Sequence, residues 1–417
     1  MNSNAMRCGL AALVALPLST SPLVAQRSAT LSQAITAALR DNPDVLTARG
    51  TLDSARSERR IAGASPNPTL MAVPNSPYQY AVSLPLDFMP SRFHRTQAAS
   101  IGVDASEFDR RDMSRQVRVT VARSFYDILL AQERRTLARA RVSAVTQLLA
   151  ADSARFRAGD VPARNLVRSE VELARADAEL ARRNVDVQVA RGVLQALMGV
   201  TRPDTGFVAV GSLDYRALAI PADSLGPLAV LHRDDLKAAM ERVNGSRATQ
   251  QLASSLVLPP PILSFVRQYT APFESGHYYS LGLAFDLPVF NLHGGERARA
   301  AAGVENARVA QRRTAISVQR DVAAAQAEFR IQQALVERYQ SGLLRRIDES
   351  LDAVRYAYSR GANSLLDVLD AVRSQEEVRS DYVGALHDYW VSVYALDAAV
   401  GTDLFGLGDG SAPTSPP

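Results

Sequence analysis

The stretch that decides the fold is Tyr358-Ser-Arg-Gly-Ala-Asn-Ser-Leu-Leu-Asp-Val-Leu-Asp-Ala371, a turn between two long helical runs. Gly361 follows the first run, and glycine most readily takes the left-handed conformation that closes a helix. Ser364 is placed to cap the second run, with Asp367 three residues later as its capping-box partner. The stretch therefore predicts a helical hairpin whose turn spans 359–364.

The helix after this turn is predicted to carry a coiled-coil seam. Its apolar residues recur at intervals of three or four, with one interruption near Gln375 and Arg379. The seam residues are Leu365, Val368, Val372, Tyr382, Leu386, Tyr389, Val393, Leu396 and Val400.

A second copy of the turn occurs earlier, as Phe156-Arg-Ala-Gly-Asp-Val-Pro162. Gly159 in that copy lies 202 residues before Gly361, and Gly199 and Gly401, which close the following helices, are also 202 residues apart. The chain is therefore predicted to be a duplicated unit. Each half holds a helix, a β-hairpin, a long helix and a returning helix, so the fold class is mainly α with a small β part.

The predicted segments follow from the breaks between helical runs. The long helices of about sixty residues would form a rod roughly 90 Å long. The first repeat (26–199) has a helix at 30–62 broken at Asn42-Pro43, a hairpin at about 69–88 with strands at 69–73 and 80–88, a long helix at 95–156, the turn 157–162 and a helix at 163–198. After an equatorial linker at 200–227, the second repeat (228–401) has a helix at 228–256, a hairpin at about 262–288 with strands at 262–269 and 278–288, a long helix at 290–358 and the turn 359–364. A disordered tail is expected at 402–417.

Composition limits the classes of protein to which the chain can belong. At 417 residues with 47% hydrophobic content, it can bury the surface of two domains or of one repeated unit. The net charge of +4 comes almost entirely from arginine, because Lys237 is the only lysine, and acidic residues are interspersed among the basic ones. This pattern argues against a nucleic-acid partner.

The amino terminus has the pattern of an export signal. Arg7 precedes an apolar run from Gly9 to Leu18, and residues 1–25, which end in Leu-Val-Ala, are therefore predicted to be a signal peptide. Met6 is an alternative start to Met1. Cys8 is the only cysteine, and because it precedes the apolar run it cannot serve for lipid attachment.

The two hairpins are rich in aromatic residues. Eleven of the 26 aromatics of the chain fall within 78–93 and 265–290, and aromatics at strand ends are typical of a membrane–water interface. Two hairpins supply only four strands, and an open sheet cannot sit in lipid with unpaired edges. Two chains sharing one barrel would give eight strands and three would give twelve. The alternative is a soluble hairpin packed on a helix end.

These pieces resemble the TolC-type outer-membrane efflux factors over nearly all of the predicted mature chain. The resembling segments are Leu31–Pro43, Arg233–Leu236, Asp286–Arg297, Tyr358–Gly361 with Leu366–Ala371, and Leu396–Gly401. The resemblance implies a homotrimer in the outer membrane that extends into the periplasm. Its helices would form an α-barrel tunnel and its strands a shared 12-stranded β-barrel in outer-membrane lipid. It also implies a periplasmic adaptor protein and an inner-membrane pump as partners.

The resemblance also implies where the functional residues lie. Asp367 and Asp370 correspond to an acidic pair at the periplasmic mouth of the tunnel, where six carboxylates from three chains would favour cations. The alternative reading is that Asp367 caps its helix and Asp370 is solvated, and the two readings are compatible. The mouth residues are Asp367, Asp370, Tyr358, Asn363 and Asn165, and the adaptor-facing turns hold Gly159, Asp160, Gly361, Ala362 and Ser364.

The sequence departs from the family at the position of one ion pair. Some members hold the mouth closed with an Asp on the first returning helix and an Arg beside the second turn, but Asn165 and Asn363 stand at the matching places here. Arg360 or Arg164 are candidates to substitute for that Arg.

No nucleophile elbow, phosphate loop or zinc-type spacing occurs in the sequence, so no catalytic residue, metal site or cofactor is expected. The function implied is that of a passive exit duct in a tripartite efflux pump for small molecules or metal ions. Two alternatives stay open. One is a type I protein-secretion duct, and the other is a periplasmic coiled-coil scaffold without a pore.

Overall fold

The structure, a computed structural model, describes residues 28–75, 77–87, 90–220, 224–257, 260–269 and 278–406. The predicted signal peptide and residues 407–417 of the predicted tail lie outside these ranges. The first repeat contains, in chain order, β1 (Ser28–Ala29), α1 (Leu31–Asp41), α2 (Pro43–Gly63), β2 (Thr69–Val73), β3 (Tyr78–Pro85), α3 (Pro90–Arg157) and α4 (Ala163–Leu197).

The second repeat follows the same plan with more interruptions. After β4 (Val208–Ala209) of the equatorial segment, it contains α5 (Leu225–His232), α6 (Asp234–Ser255), β5 (Ile262–Tyr269), β6 (Tyr278–Ala284), α7 (Gly294–Arg338), a kinked turn (Tyr339–Leu343), α8 (Leu344–Ser359) and α9 (Leu365–Val400). The fold is mainly helical, as predicted. At 68 residues, α3 is roughly 100 Å long.

The single helix expected at 228–256 is divided at Arg233. Arg233 has extended backbone (φ −62°, ψ 116°), and Asn42 has nearly the same backbone between α1 and α2 (φ −64°, ψ 131°). The buried guanidinium of Arg233 donates hydrogen bonds to Asp235 (2.6 Å) and to the carbonyl oxygen of Ala399 (3.1 Å). This interaction fixes the bend in the second repeat, where the sequence offers no proline as a signal.

The second long helix is also not continuous, contrary to the prediction. It begins at Gly294 and is interrupted by the kinked turn, where Gly342 takes φ 122° and ψ −4°. A residue in that conformation cannot continue an α-helix, because α-helical residues need φ near −63°.

The helices lie side by side, with α3 at the centre. Near the hairpins, α3 contacts α2 and α6, and α6 contacts α7. Toward the turns, α3 contacts α4 and α9, and α9 contacts α7 and α8. Within the described residues, α4 makes an extensive contact only with α3. One lateral side of the rod is therefore formed by α2 and α4, and the other by α7 and α8.

The hairpins join into one four-stranded antiparallel sheet with the order β2-β3-β5-β6. The central pairing sets Tyr78 opposite Tyr269 and Pro85 opposite Ile262. The expected strands at 80–88 and 278–288 therefore start or end differently, at 78–85 and 278–284. Large apolar side chains of the sheet are exposed, such as Leu70 (72%) and Leu281 (74%).

The main hydrophobic core lies where the equatorial segment crosses the helices. β4 pairs in parallel with β1, and Phe207, Leu213 and Leu218 are buried against the helices. Tyr389 of α9 is fully buried there and donates a hydrogen bond to the carbonyl oxygen of Arg216 (2.6 Å). The equatorial segment is therefore part of the core, and the second repeat begins at Leu225 within the expected linker.

Residues 402–406 are ordered, which corrects the first part of the predicted tail. The ring of Phe405 stacks on Phe329 at 5.9 Å, and the backbone N–H of Leu404 donates to Asp397 (3.1 Å). Among the described helices, none combines the length and apolarity needed to cross a lipid bilayer.

Candidate functional site

The two turns close their helices in the same way. Gly159 has φ 83° and Gly361 has φ 77°, as predicted from the glycine positions. The N–H of Asp160 donates to the carbonyl oxygen of Arg155 (2.9 Å), and the N–H of Ala362 donates to that of Ala357 (2.9 Å). These six-to-one bonds are those of a Schellman motif. Asp160, Ala362 and Ser364 are exposed on the turns.

Asp367 forms the capping box predicted from the sequence. Its N–H donates to the Ser364 hydroxyl (3.3 Å), and its carboxylate accepts from the Ser364 N–H (2.8 Å). The hydrogen bonds from Ser364 hold the pKa of the Asp367 carboxyl below its usual value. The side chain is nevertheless exposed, so its negative charge faces solvent.

Asp370 lies one turn further along α9 and is also exposed. Arg373 approaches it at 3.3 Å. The acidic stripe of α9 continues along the same helix. Its other exposed polar members are Ser374, Glu377, Asp381 and Asp388.

Tyr358 binds a buried carboxylate that the sequence did not suggest. Its hydroxyl donates to Asp152 (2.5 Å), and the hydroxyl of Ser169 donates to the other oxygen of the same carboxylate (2.5 Å). Asp152 is fully buried. Burial and the hydrogen bond to Asp152 raise the pKa of Tyr358 to about 12. We call Asp152, Ser169 and Tyr358 the tip cluster, because it ties α3 and α4 to α8 beside the turns.

A second buried carboxylate joins three helices further from the turns. Glu172 of α4 accepts hydrogen bonds from Arg141 of α3 (2.6 Å) and Arg373 of α9 (2.6 Å), and Arg141 also pairs with Glu376 of α9 (2.7 Å). We call these four residues the Glu172 network. Burial opposes ionisation of Glu172, but the hydrogen bonds from Arg373 and Arg141 outweigh it and lower its pKa.

Within the described residues, the side chains of Asn165 and Asn363 form no hydrogen bond, and both residues are half-buried. Arg360 lies over the ring of Tyr356 at 5.4 Å. Within the described residues of the single chain, Arg360 forms no ion pair with a carboxylate, and its suggested role at the mouth stays a prediction. The buried carboxylates that connect helices near the turns are Asp152 and Glu172.

A comparison of the repeats would have pointed to Asp152. The residue 202 positions later is Val354, which packs in the small apolar cluster around Leu351. An aspartate at a position that is apolar in the other repeat indicates a buried polar contact, because a buried charge requires partners. Glu172 offers a weaker signal, since Ser374 stands at its matching position.

His387 forms a further charged contact, midway along the rod. Its Nε2 lies 2.8 Å from Asp127 of α3, and its Nδ1 lies 2.8 Å from Asp388. Burial lowers the pKa of His387, but the two carboxylates outweigh burial and raise it to about 8. The described residues contain no group of three or more His, Cys, Asp or Glu side chains arranged to hold a metal ion.

Comparison with known proteins identifies the family. The model of the family described as "Outer membrane efflux protein" matches residues 34–200 and 225–402. The chain is 26% identical over 386 residues to the cobalt-zinc-cadmium resistance protein CzcC of Cupriavidus metallidurans, covering 89% of this chain and 90% of that one.

Two solved structures have the same fold. A membrane protein of Pseudomonas aeruginosa matches with a TM-score of 0.78 at 21% identity, over 89% of this chain and 93% of that chain. The open state of the Neisseria gonorrhoeae MtrE outer membrane channel matches with a TM-score of 0.75 at 22% identity, over 89% of each chain. The duplicated helical rod, its open sheet and the match over both repeats agree, and the chain belongs to the outer membrane efflux protein family.

Proposed function

We propose that this protein is the passive exit duct of a tripartite efflux pump and that its cargo is metal cations. Family membership already makes it an outer-membrane efflux channel that extends into the periplasm. The proposal adds that the channel is a trimer, that its turns form the periplasmic mouth, that it works with an adaptor and a pump, and that it carries metal cations. No bond is broken in this function, because the energy comes from the pump in the inner membrane.

The observation that carries the proposal is the open sheet at one end of the rod. β6 is exposed along its whole length, and within the described residues β2 and β6 have no partner on their outer edges. An apolar sheet with free edges is satisfied in lipid only when it closes into a barrel. Four strands from each of three chains give twelve, and β6 of one chain would pair with β2 of the next.

The lateral sides of the rod support the same arrangement. Both sides carry exposed apolar residues, which in a lone rod would face water. On α4 these are Val167, Val171, Val185, Val189 and Val193, and on α7 they are Val309, Ile316, Ile331 and Leu335. Because the two sides differ, contact between them would be head-to-tail, an arrangement that forms a ring when the rotation between neighbouring chains closes.

At the other end, the turns would form the periplasmic mouth. Asp367 and Asp370 of three chains would bring six carboxylates to one opening, where they favour cations over anions. The tip cluster and the Glu172 network would hold α8 and α9 against α3 and α4, which keeps that opening narrow. The exposed turns around Gly159 and Gly361 would contact the adaptor.

Two observations favour metal cations as cargo. The acidic stripe suits positively charged cargo, and the similar protein CzcC is named for resistance to cobalt, zinc and cadmium.

A type I protein-secretion duct is the second candidate within the family. Identification of the adaptor and pump that co-purify with the protein separates the two, because a secretion system would supply a different pump.

Conductance in planar bilayers tests the proposal directly. The mature protein, purified in detergent from outer membranes as a trimer, should form cation-preferring channels. A coiled-coil scaffold would give no conductance. A monomer that stays soluble without detergent would contradict the trimer.

A further inference from the structure

The two faces of the four-stranded sheet differ in character. Side chains alternate between the faces along each strand, so the register of the pairing shows which residues share a face. Gln79, Ser83, Ser264 and Gln268 share one face, where the hydroxyls of the two serines lie 3.2 Å apart. The large apolar residues of the opposite face, which we call the apolar face, include Leu70, Val82, Leu84, Leu263, Phe265 and Leu281.

One charged residue, Arg267, lies on the apolar face. It follows Phe265 by two residues in β5 and therefore points to the same side of the sheet. Within the described strands β2, β3, β5 and β6, Arg267 is the only charged residue. Its side chain is exposed and forms no ion pair with a described residue. A charge on the lipid side of a sheet is costly at the centre of the bilayer and tolerated only near the interface, so this arginine requires a partner or a route to water.

Tyrosines surround Arg267 on the apolar face. Tyr80 of β3 and Tyr279 of β6 lie directly opposite it on the two neighbouring strands. The guanidinium lies over the ring of Tyr269 at 6.0 Å, and that ring stacks on Tyr78 at 5.2 Å. We call these five residues the Arg267 cluster. Guanidinium and phenol groups both donate hydrogen bonds, and the described strands hold no carboxylate to accept them.

The Arg267 cluster lies toward the end of the sheet that is far from the helices. The pairing of Pro85 with Ile262 marks the near end, and that of Tyr78 with Tyr269 marks the far end. Arg267 is five residues beyond Ile262, roughly 17 Å along the strand. Because the helices of an outer-membrane channel of this family extend into the periplasm, the far end of the sheet points toward the cell exterior. The Arg267 cluster is therefore at the level of the outer leaflet.

We propose that the Arg267 cluster binds a phosphate group of the glycolipid that forms the outer leaflet of the outer membrane. The planar guanidinium of Arg267 would pair with two phosphate oxygens, a geometry that arginine favours. The hydroxyls of Tyr80 and Tyr279 would donate to the same phosphate. The apolar residues nearer the helices would contact the acyl chains of the bound lipid.

A carboxylate of a neighbouring chain does not fit the position of Arg267. Arg267 lies on β5, which is an inner strand of the sheet. In the proposed trimer the strand beyond β6 is β2 of the next chain, and β2 carries no charge. The inference rests on the proposed function, because the barrel would turn the apolar face outward. The alternative is that the long side chain only extends to water at the membrane surface.

Native mass spectrometry of the detergent-purified trimer tests this site. The parent protein should bind lipid A, the phosphorylated base of the outer-leaflet glycolipid, at least about tenfold more tightly than lipid A stripped of its phosphates. Arg267→Gln should remove this preference, and Arg267→Lys, which keeps the charge, should retain part of it. Tyr279→Phe keeps the ring and loses only the hydroxyl, so affinity should fall less, about threefold.

Arg313→Gln is the matched control. Arg313 is an exposed arginine of α7, about five helical turns from the end that adjoins the sheet. This variant should bind lipid A like the parent protein. Equal binding of lipid A by the parent protein and Arg267→Gln would overturn the proposal and favour the extension of the side chain to water. Equally tight, Arg267-dependent binding of phosphatidylglycerol would overturn the assignment to the outer-leaflet glycolipid.

Conductance separates this site from the proposed function. Arg267→Gln should conduct like the parent protein, because the apolar face points away from the lumen of the proposed barrel. A parent protein that conducts as a trimer but shows no preference for phosphorylated lipid A would overturn the lipid site alone. A parent protein that forms no channel would contradict the proposed function and the lipid site with it.

Discussion

The carboxylates near the turns fall into an exposed pair and a buried pair, and substitution can separate their roles. Asp367 and Asp370 keep exposed negative charge, whereas Glu172 and Asp152 are buried and fully engaged with partners. In the proposed duct, the first pair would act on passing ions through its electric field. The second pair acts on the position of helices through hydrogen bonds.

The exposed pair should set ion preference. Asp367→Asn with Asp370→Asn removes six negative charges from the mouth of a trimer, so the cation preference of single channels should fall. The difference should shrink at about 1 M salt, where the screening length is roughly 3 Å. Ser364 still caps α9, and the side-chain oxygen of an asparagine at position 367 can still accept the Ser364 N–H, so folding should survive.

Asp177→Asn is the control for this experiment, because Asp177 is an exposed aspartate of α4 well away from the turns. It should leave ion preference unchanged. An unaltered preference in a well-folded Asp367/Asp370 double variant would place the pair outside the conducting path.

Glu172→Gln should loosen the closed mouth. The substitution removes the charge that binds Arg141 and Arg373, and breaking a buried ion pair typically costs about 3–5 kcal/mol. Even a third of this would raise the open probability about tenfold, since 1.4 kcal/mol corresponds to a factor of ten. Single-channel recording measures the change.

Glu170→Gln is the matched control, because Glu170 is exposed on the same helix two residues away. It should behave like the parent protein. If both variants conduct alike, the Glu172 network does not hold the mouth.

His387 should make stability depend on pH. Its pKa is raised to about 8 by Asp127 and Asp388, above the ordinary value near 6.5. The stabilisation of about 2 kcal/mol is therefore fully present below pH 6.5 and is lost as the pH rises through 8. Thermal unfolding between pH 6 and 9 should show this loss, and His387→Gln should flatten it. His232→Gln, which alters a histidine without an ion pair in the described residues, should keep the slope.

At the scale of elements, the turns and the seam of α9 could be predicted from the sequence, because their signals are local. Gly159 and Gly361 have positive φ, the Ser364 capping box forms, and eight of the nine seam residues are buried, with Tyr382 half-buried. The bend at Arg233 and the kinked turn Tyr339–Leu343 could not be predicted. Their causes are a contact with Ala399, far along the chain, and a glycine that resembles any other helical glycine in the sequence.

The candidate site was predicted only in part, for the same reason. Asp367 and Tyr358 were found from local spacing and resemblance, but their partners were not. Asp152 and Tyr358 are 206 residues apart, and Glu172 and Arg373 are 201 apart. Pairing across the duplicated repeats becomes visible only when α3, α4, α8 and α9 lie side by side.

The tip turn offers a test of the element itself. Gly361→Val places a β-branched residue at φ 77°, where left-handed backbone costs at least about 1–2 kcal/mol for residues with a Cβ. The unfolding temperature should fall. Gly50→Val, at an exposed helical glycine with no atom near an added Cβ, should lower it less. Equal losses would mean that the turn does not need its left-handed glycine.

At the scale of the whole molecule, the two unlike lateral sides should determine assembly. Val185→Glu with Val189→Glu puts charge into the exposed apolar stripe of α4, where a neighbouring α7 would bury it at a high cost. The trimer should dissociate in detergent, as measured by native mass spectrometry or light scattering. Gln188→Glu adds charge at an exposed polar position of the same helix and should leave the trimer intact. A trimer that survives the double substitution would place the contact elsewhere.

The pairing of β3 with β5 joins residues about 190 positions apart, since Tyr78 lies opposite Tyr269. Contacts of such high sequence separation form late, because the entropy of closing a long loop must be overcome first. Helical contacts such as that between α3 and α4 are far more local. During biogenesis the helical contacts within each repeat should therefore form before the sheet and before the rod contacts that join the two repeats. Insertion into the lipid would then be the final step, delayed until both halves of the chain have been delivered.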